Sequence, residues 1–184
     1  MIIEDFEIWR IFTNFLFFGN LGLNFLFHLY FLVRYCRLLE EGEFNRKKSD
    51  FIFFIFFGGT LMVSLQPLVE LEFLGSSLTF MMVYVWARRN EHIQMSLFGL
   101  FNFNAPYLPW VFMGYSLMAS TKETLASDLL GIGVGHIYYF LAYIYPQVAL
   151  MRRWRLRKIL TTPKFLKLLC GEIQYRDHVH VHQQ

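Results

Sequence analysis

The stretch DLLGIGVGHIYYFLAYIYPQVALMR, residues 128–152, decides the fold of this chain. Asp, Glu, Lys and Arg are absent between its terminal residues, Asp128 and Arg152. An α-helix rises ~1.5 Å per residue, and ~20 apolar residues cross the ~30 Å hydrocarbon core of a bilayer. The stretch is long enough for this, so it predicts a membrane-spanning helix.

Two glycines in this stretch predict how the helix packs. Gly131 and Gly135 form a GxxxG pair, which removes side-chain bulk from one helix face. A neighbouring helix can then approach closely. The pair could serve a dimer interface or a contact within the chain, and we favour the contact within the chain.

Upstream of this stretch, breaks in the apolar sequence divide the chain into four more membrane segments. The composition agrees with a membrane protein, because 55% of the residues are hydrophobic, 20% are aromatic and 17% are charged. We therefore predict an all-α, polytopic membrane helix bundle with five spans. The four upstream spans lie between Arg10 and Arg34, between Asp50 and Glu70, from about Leu71 to Ala87, and from Ala105 to Ala119. The segment before the last of these, Met95–Phe103, is interpreted as interfacial or re-entrant. The third is so short that it crosses only by tilting or by thinning the bilayer.

The basic residues predict the orientation. Five lie between Arg34 and Lys48, two are Arg88 and Arg89, and eight lie in the tail from Arg152 onward, so one side holds fifteen of the seventeen. By the positive-inside rule this side is cytosolic, and the N-terminus is lumenal. We divide the chain into a lumenal segment (1–10), a membrane domain (11–151) and a basic cytosolic tail (152–184).

The cysteines and histidines predict neither a disulfide nor a metal site. Cys36 and Cys170 both fall on the cytosolic side, where thiols stay reduced. The tail histidines alternate with valine near the C-terminus, where we expect a disordered end rather than a metal centre. They are His178, His180 and His182. No cofactor and no cleavable signal peptide are predicted.

Six strings of residues identify a family. They are FEIWR (6–10), TNFLFFG (13–19), RYCRLLEEG (34–42), VYVWARRN (83–90), APYLPWV (105–111) and LLGIGVGHIYYF (129–140). In order and spacing they resemble the Derlins, rhomboid-fold pseudoproteases, and most closely the Derlin-2/Derlin-3-like branch. The resemblance covers roughly residues 2 to 168.

The resemblance implies a rhomboid-like bundle in the endoplasmic reticulum membrane without proteolytic activity. It also implies work in the degradation of misfolded lumenal or membrane proteins, beside an E3 ubiquitin ligase complex and a cytosolic AAA ATPase. Homo- or hetero-oligomers are compatible with it, and nucleic acid is not expected as a partner. No Gly- and Phe-containing motif follows Gly171, so we do not expect the tail to bind the ATPase directly.

Two pairs of residues match family motifs. Trp9-Arg10 matches the Trp-Arg motif of the first lumenal loop, which implies a structural element that embeds this loop in the lumenal leaflet. By spacing alone, the pair would be a plain interfacial anchor, because Trp favours the headgroup level and Arg can bond phosphates. Gly131 and Gly135 match the GxxxG motif of the last family span.

The residue types of a rhomboid protease are nevertheless present. Such an enzyme needs a serine nucleophile in a GxS turn and a histidine base on a facing helix. Ser77, which follows Gly75-Ser76, and His136 have these types, and counting from Glu70 and Asp128 places both ~10 Å deep. Ser77 is a departure from the Derlins toward the protease.

The oxyanion-stabilising residues are only partly matched. Rhomboid proteases place a His-xxx-Asn pair on the helix that corresponds to the first span, whereas this chain has Asn24-xxx-His28, in reverse order. We interpret Ser77 and His136 as a vestigial dyad, with Asn24 and His28 as the oxyanion equivalents. An active intramembrane serine protease that uses Ser77 and His136 remains the alternative.

The sequence departs from the family at its start. The Derlins have six spans and a cytosolic N-terminus, whereas the match here begins just before the Trp-Arg motif and the first family span is absent. We expect a truncated sequence rather than a five-span bundle that suffices. The function we predict is a non-catalytic one, in which a locally thinned bilayer and a partly polar lateral cavity aid retrotranslocation of misfolded proteins.

Overall fold

The computed structural model describes residues 13–15, 23–45, 47–69, 71, 73–97, 101–119, 122–153 and 159–171. Their architecture is helical, as predicted, with one antiparallel hairpin. The helices are α1 (Leu23–Leu38), α2 (Lys48–Val69), α3 (Gly75–Arg89), α4 (Leu108–Ala119), α5 (Lys122–Tyr139), α6 (Tyr145–Met151) and α7 (Lys164–Leu169), and the strands are β1 (Gln94–Leu97) and β2 (Phe101–Asn104).

Helix α3 lies at the centre of the bundle. It contacts α1, α2, α4 and α5, and its most extensive contact is with α5. Every residue from Thr79 to Ala87 is buried. A helix that is apolar on all sides is stable only when it is surrounded by other helices or lipid. The other helices therefore pack around α3 and form the shell of the bundle.

Within the described residues, two helical stretches are long and apolar enough to cross a membrane by length and composition. They are Lys48–Val69, which is α2, and Leu125–Met151, which includes most of α5 and all of α6. Helix α3 has 15 residues and α4 has 12, so at ~1.5 Å per residue they are ~22 Å and ~18 Å long. The number of spans stays a prediction, and each of these two helices is shorter than a ~30 Å hydrocarbon core.

A π-helical turn, Phe140–Ile144, joins α5 to α6. Pro146 follows it in the first turn of α6. Proline has no N–H to donate to the preceding turn, and its ring clashes with the carbonyl four residues earlier. The wider π turn accommodates this proline without breaking the helical stretch.

Part of Met95–Phe103, which we predicted to be interfacial or re-entrant, lies in the two paired strands Gln94–Leu97 and Phe101–Asn104. Met95 pairs with Phe103, and Gln94 pairs with Asn104. The backbone N–H of Ala105 then donates to the carbonyl of Ile93, which closes the base of the hairpin. Within the described residues this hairpin is a departure from the all-α prediction.

The basic connections meet at one end of the bundle, which we call the basic end. Arg89, at the end of α3, donates from Nε to Glu43 Oε2 at 2.7 Å, and Glu43 lies in the connection between α1 and α2. Arg89 also lies 4.4 Å from the centre of the Tyr143 ring. Thr162 in the tail donates to Asp50 at the start of α2. These contacts draw the three basic parts of the sequence to the same end.

Candidate functional site

A buried polar cluster lies at the opposite end of the bundle, where α3 begins. It consists of Ser76 and Ser77 from α3, Ser116 from α4, and Ser127 and Asp128 from α5. The Ser77 hydroxyl donates to the carbonyl oxygen of Ser127 at 2.7 Å and lies 2.8 Å from the Ser127 hydroxyl. The Ser76 hydroxyl donates to Asp128 Oδ1. Three helices thus contribute polar side chains to one buried region.

Asp128 is the centre of this cluster. Its relative exposure is 0%, and Oδ2 makes no hydrogen bond to any described residue. The buried Ser116 hydroxyl lies beside the same carboxyl group without an aligned hydrogen bond. An acidic side chain is rarely fully buried unless it is paired, because its polar atoms lose water. The cluster is therefore a specific feature of the helix interface rather than a solvated helix end.

The predicted GxxxG residues hold α3 and α5 together in the same chain. A Cβ atom on Gly131 would lie 2.3 Å from the Ser77 carbonyl oxygen and 2.8 Å from Phe80 Cβ. A Cβ atom on Gly135 would lie 3.1 Å from Tyr84 Cβ. Both glycines therefore face α3, and their missing side chains let the two backbones approach closely.

A second set of polar contacts anchors the loop before α3. The Gln66 amide donates from Nε2 to the carbonyl of Leu71 at 2.8 Å, and Asn14 Nδ2 donates to Gln66 Oε1 at 3.3 Å. The carbonyl of Asn14 accepts from the N–H of Leu74 at 3.0 Å. The start of α3 is thus positioned by residues that lie far apart in the sequence.

Ser77 and His136 are not brought together. A hydrogen bond of 2.6 Å joins His136 Nδ1 to Tyr84 Oη, whereas Ser77 bonds Ser127. Tyr84 lies seven residues beyond Ser77 on α3, a rise of ~10 Å. The equal depth predicted from the sequence is wrong, because Asp128 was taken as the exposed start of the last span and is in fact buried.

The oxyanion-equivalent residues lie on α1. The His28 ring is buried and lies 6.1 Å from the ring of Phe80, which is about one helical turn beyond Ser77 on α3. Asn24 belongs to the same helix, but its side chain lies outside the described part of the chain. Trp9 and Arg10 lie outside the described residues. The sequence prediction thus named His28 and Ser77 in this region but missed Asp128.

We expect Tyr84→Phe to lower the free energy of unfolding by about 1 kcal/mol, because it removes only the hydrogen bond to His136. The ring would keep its packing against Gly135. Chemical unfolding of the purified protein in detergent would measure the change. Tyr107→Phe is the control on a more exposed ring, and an equal loss in both variants would contradict a specific Tyr84–His136 contribution.

Neither a metal centre nor a disulfide is evident among the described residues. No group of three His, Cys, Asp or Glu side chains in that part of the chain converges on one point. Cys36 and Cys170 are both free thiols. The three tail histidines lie outside the described residues.

A bundle with an apolar exterior, a buried central helix and an internal polar cluster defines a helical membrane protein. Comparison with known proteins identifies the family. The protein-family model described as "DER1: Der1-like family" matches residues 1–164. The chain therefore belongs to the Der1-like family, to which the sequence motifs pointed.

The relatives in this family are similar along almost the whole chain. Derlin-2.1 of Zea mays is 43% identical over 183 residues, which are 94% of this chain and 70% of the relative. Derlin-2.1 of Arabidopsis thaliana is also 43% identical and is covered to 72%. The probable derlin-2 homolog of Dictyostelium discoideum is 42% identical over 184 residues, which are 95% of this chain and 68% of the relative. The predicted Derlin resemblance is thus confirmed.

Proposed function

We propose that this protein is a non-catalytic component of endoplasmic-reticulum-associated degradation that engages misfolded proteins and aids their passage across the membrane. Membership of the Der1-like family supports this role. The observation that carries the mechanism is the short α4, which exposes apolar side chains beside a buried α3 that begins in a cluster of polar side chains.

The short helix α4 favours a thin bilayer beside the protein, because it exposes apolar side chains such as Leu117 and Met118. At ~18 Å it falls short of a ~30 Å hydrocarbon core, and lipids adapt to such a mismatch by thinning. A thinner core lowers the cost of moving a polar polypeptide through it, because fewer backbone amides lose water at once. The bundle would in this way ease the passage of a misfolded chain.

The polar cluster would assist on one side of the membrane. Its hydroxyl groups and the Asp128 carboxyl group can exchange hydrogen bonds with a passing backbone when α3 and α5 move slightly apart. Polar groups in a membrane commonly mark transport routes for polar substrates. The predicted lateral cavity would then open beside Ser77 and His28, whereas His136 would lie outside it.

The basic end would face the cytosol. Basic loops are retained on the cytosolic side during insertion, and the contacts of Glu43 with Arg89 and of Asp50 with Thr162 gather them there. The C-terminal tail would therefore be cytosolic, on the side of the ubiquitin ligase and the AAA ATPase. Misfolded lumenal proteins would first meet the end that holds the polar cluster.

The geometry around Ser77 supports a role without catalysis. A nucleophilic serine needs a base within hydrogen-bond distance of its hydroxyl group. The Ser77 hydroxyl instead donates to the Ser127 carbonyl, and His136 bonds Tyr84 ~10 Å further along α3. Ser77 and His136 would therefore serve helix packing.

The test is complementation in cells that lack this protein. We expect a misfolded lumenal substrate to persist in such cells and to be cleared again after expression of the wild-type chain. Ser77→Ala and His136→Ala should restore clearance to at least about half the wild-type rate, because each removes a packing hydrogen bond worth ~1 kcal/mol and no catalytic group. Substrate turnover would be followed by pulse-chase labelling.

Two outcomes would contradict the proposal. Normal clearance in cells without the protein would remove the degradation role. Cleavage of a transmembrane substrate by the purified wild-type chain, lost in both Ser77→Ala and His136→Ala while both variants remain folded, would identify a protease. Ser64→Ala is a suitable control, because its hydroxyl lies on exposed α2 and bonds only its own helix.

A further inference from the structure

A cavity of about 410 Å³ lies at the basic end, and neither Arg89 nor Glu43 lines it. Its walls come from the last turn of α3, the turn before β1, and the residues that lead into α4. The side chains that give it its chemistry are Arg88, Glu91, His92, Tyr107 and Trp110. No role in the proposed degradation function involves this cavity.

Arg88 supplies a positive charge that forms no ion pair with a carboxylate of the described residues. Its guanidinium lies 5.5 Å from the centre of the Tyr139 ring, and its buried Nε makes no hydrogen bond to a described residue. The neighbouring Arg89 differs, because Glu43 accepts from its Nε at 2.7 Å. A guanidinium without a carboxylate partner at a cavity wall is well suited to a phosphate group.

The opposite charge and two aromatic rings lie on the same cavity. The Glu91 carboxylate is largely exposed and lies 3.9 Å from the imidazole of His92. The rings of Tyr107 and Trp110 are 62% and 50% exposed. A carboxylate and exposed aromatic faces together attract an ammonium group, and Trp and Tyr favour the headgroup level of a bilayer.

We propose that this cavity binds the headgroup of a zwitterionic glycerophospholipid from the leaflet at the basic end. The phosphodiester lies against Arg88, and the ammonium group of choline or ethanolamine lies against Glu91 and the faces of Tyr107 and Trp110. The acyl chains leave the cavity toward the hydrocarbon around α4. A purely anionic headgroup fits less well, because Glu91 repels it.

Native mass spectrometry of the full chain in mild detergent tests the proposal. Dioleoylphosphatidylcholine, dioleoylphosphatidylethanolamine, dioleoylphosphatidylglycerol and soluble glycerophosphocholine are titrated separately. We expect one molecule of phosphatidylcholine or of phosphatidylethanolamine to bind per protein chain, and each to bind more tightly than phosphatidylglycerol. Glycerophosphocholine competes with the two zwitterionic lipids only if the headgroup alone supplies the affinity. The comparison of phosphatidylcholine with phosphatidylethanolamine shows which ammonium group the Tyr107 and Trp110 rings prefer.

Matched variants separate this site from general lipid binding. Arg88→Gln should weaken phosphatidylcholine binding by about tenfold or more, since a charge-assisted hydrogen bond is lost. Arg89→Gln removes the same charge from the adjacent residue and should leave binding within about twofold. Glu91→Gln should abolish the preference over phosphatidylglycerol, whereas Glu40→Gln, also exposed at this end, should keep it.

Three results would overturn the proposal. They are equal losses in Arg88→Gln and Arg89→Gln, tighter binding of phosphatidylglycerol than of phosphatidylcholine by the wild type, and an unchanged preference in Glu91→Gln. If Arg88→Gln unfolds the protein, Trp110→Leu is the deciding test, because the exposed Trp110 ring lies on another wall of the cavity. Its expected result is weaker phosphatidylcholine binding with an unchanged melting temperature, and unchanged binding would count against the site.

Discussion

Replacing Gly131 with alanine is expected to lower the free energy of unfolding by about 3 kcal/mol, the upper part of the range for overpacking a core. The new methyl group would meet the Ser77 carbonyl oxygen at 2.3 Å and Phe80 Cβ at 2.8 Å. Neither atom can rotate away, because one belongs to the backbone and the other is attached to it. Helices α3 and α5 would have to separate, and the Ser77–Ser127 hydrogen bonds would stretch.

Two glycines on the same helix make a graded control. A Cβ on Gly133 would meet nothing within 4 Å, so Gly133→Ala should leave stability unchanged or raise it by up to about 1 kcal/mol, because alanine favours a helix more than glycine does. Gly135→Ala should lie between the two, because its nearest contact would be 3.1 Å. Unfolding by a denaturing detergent, followed by circular dichroism, measures all three.

The same series distinguishes packing within the chain from dimerisation. If the GxxxG pair formed a dimer interface, Gly131→Ala would change the molecular mass of the complex and leave the stability of the monomer nearly unchanged. We expect the reverse. Equal stability of the Gly131 and Gly133 variants would contradict the observed contact between α3 and α5.

Replacing Asp128 with alanine should lower the free energy of unfolding by about 2–4 kcal/mol. The variant leaves the Ser76 hydroxyl without its buried acceptor and opens a small cavity between α3, α4 and α5. Asp128→Asn keeps the size and one acceptor oxygen, and its amide group can donate to Ser116. We expect this second variant to lose no more than about 1 kcal/mol.

A double-mutant cycle assigns the loss to the observed contact. Ser76→Ala and Asp128→Ala should be non-additive, with a coupling energy of at least about 0.5 kcal/mol, because the two side chains share one hydrogen bond. Asp50→Ala is the control, because it removes an acidic side chain at the other end of the bundle. Additive effects of Ser76→Ala and Asp128→Ala would show that the cluster does not act as a unit.

Several features of the fold could be predicted from local sequence. The second span was predicted between Asp50 and Glu70, and α2 covers Lys48–Val69. The third was predicted from about Leu71 to Ala87, and α3 covers Gly75–Arg89. Length, charge and apolar character act along one continuous segment, so they can be read without knowing its neighbours.

Other features could not be predicted in this way. Asp128 was interpreted as a solvated boundary, because a charge usually marks the end of a span, whereas it is buried inside the bundle, where Ser76 from another helix donates to Oδ1. Because of this error, His136 was predicted to lie at the same depth in the membrane as Ser77. The hairpin at Met95–Phe103 was missed because its ladder depends on pairing between two short strands, each with little signal of its own.

The sequence by itself determined the membrane class, the approximate positions of the helices, the one-sided distribution of basic residues and the resemblance to the Derlins. Only the tertiary structure decided that Gly131 faces Ser77, that His136 bonds Tyr84, and that Asp128 is buried. Apolar length and charge are properties of a single segment, whereas the register of two packed helices depends on contacts between residues that lie far apart in the sequence. Ser77 and Ser127, for example, are 50 residues apart.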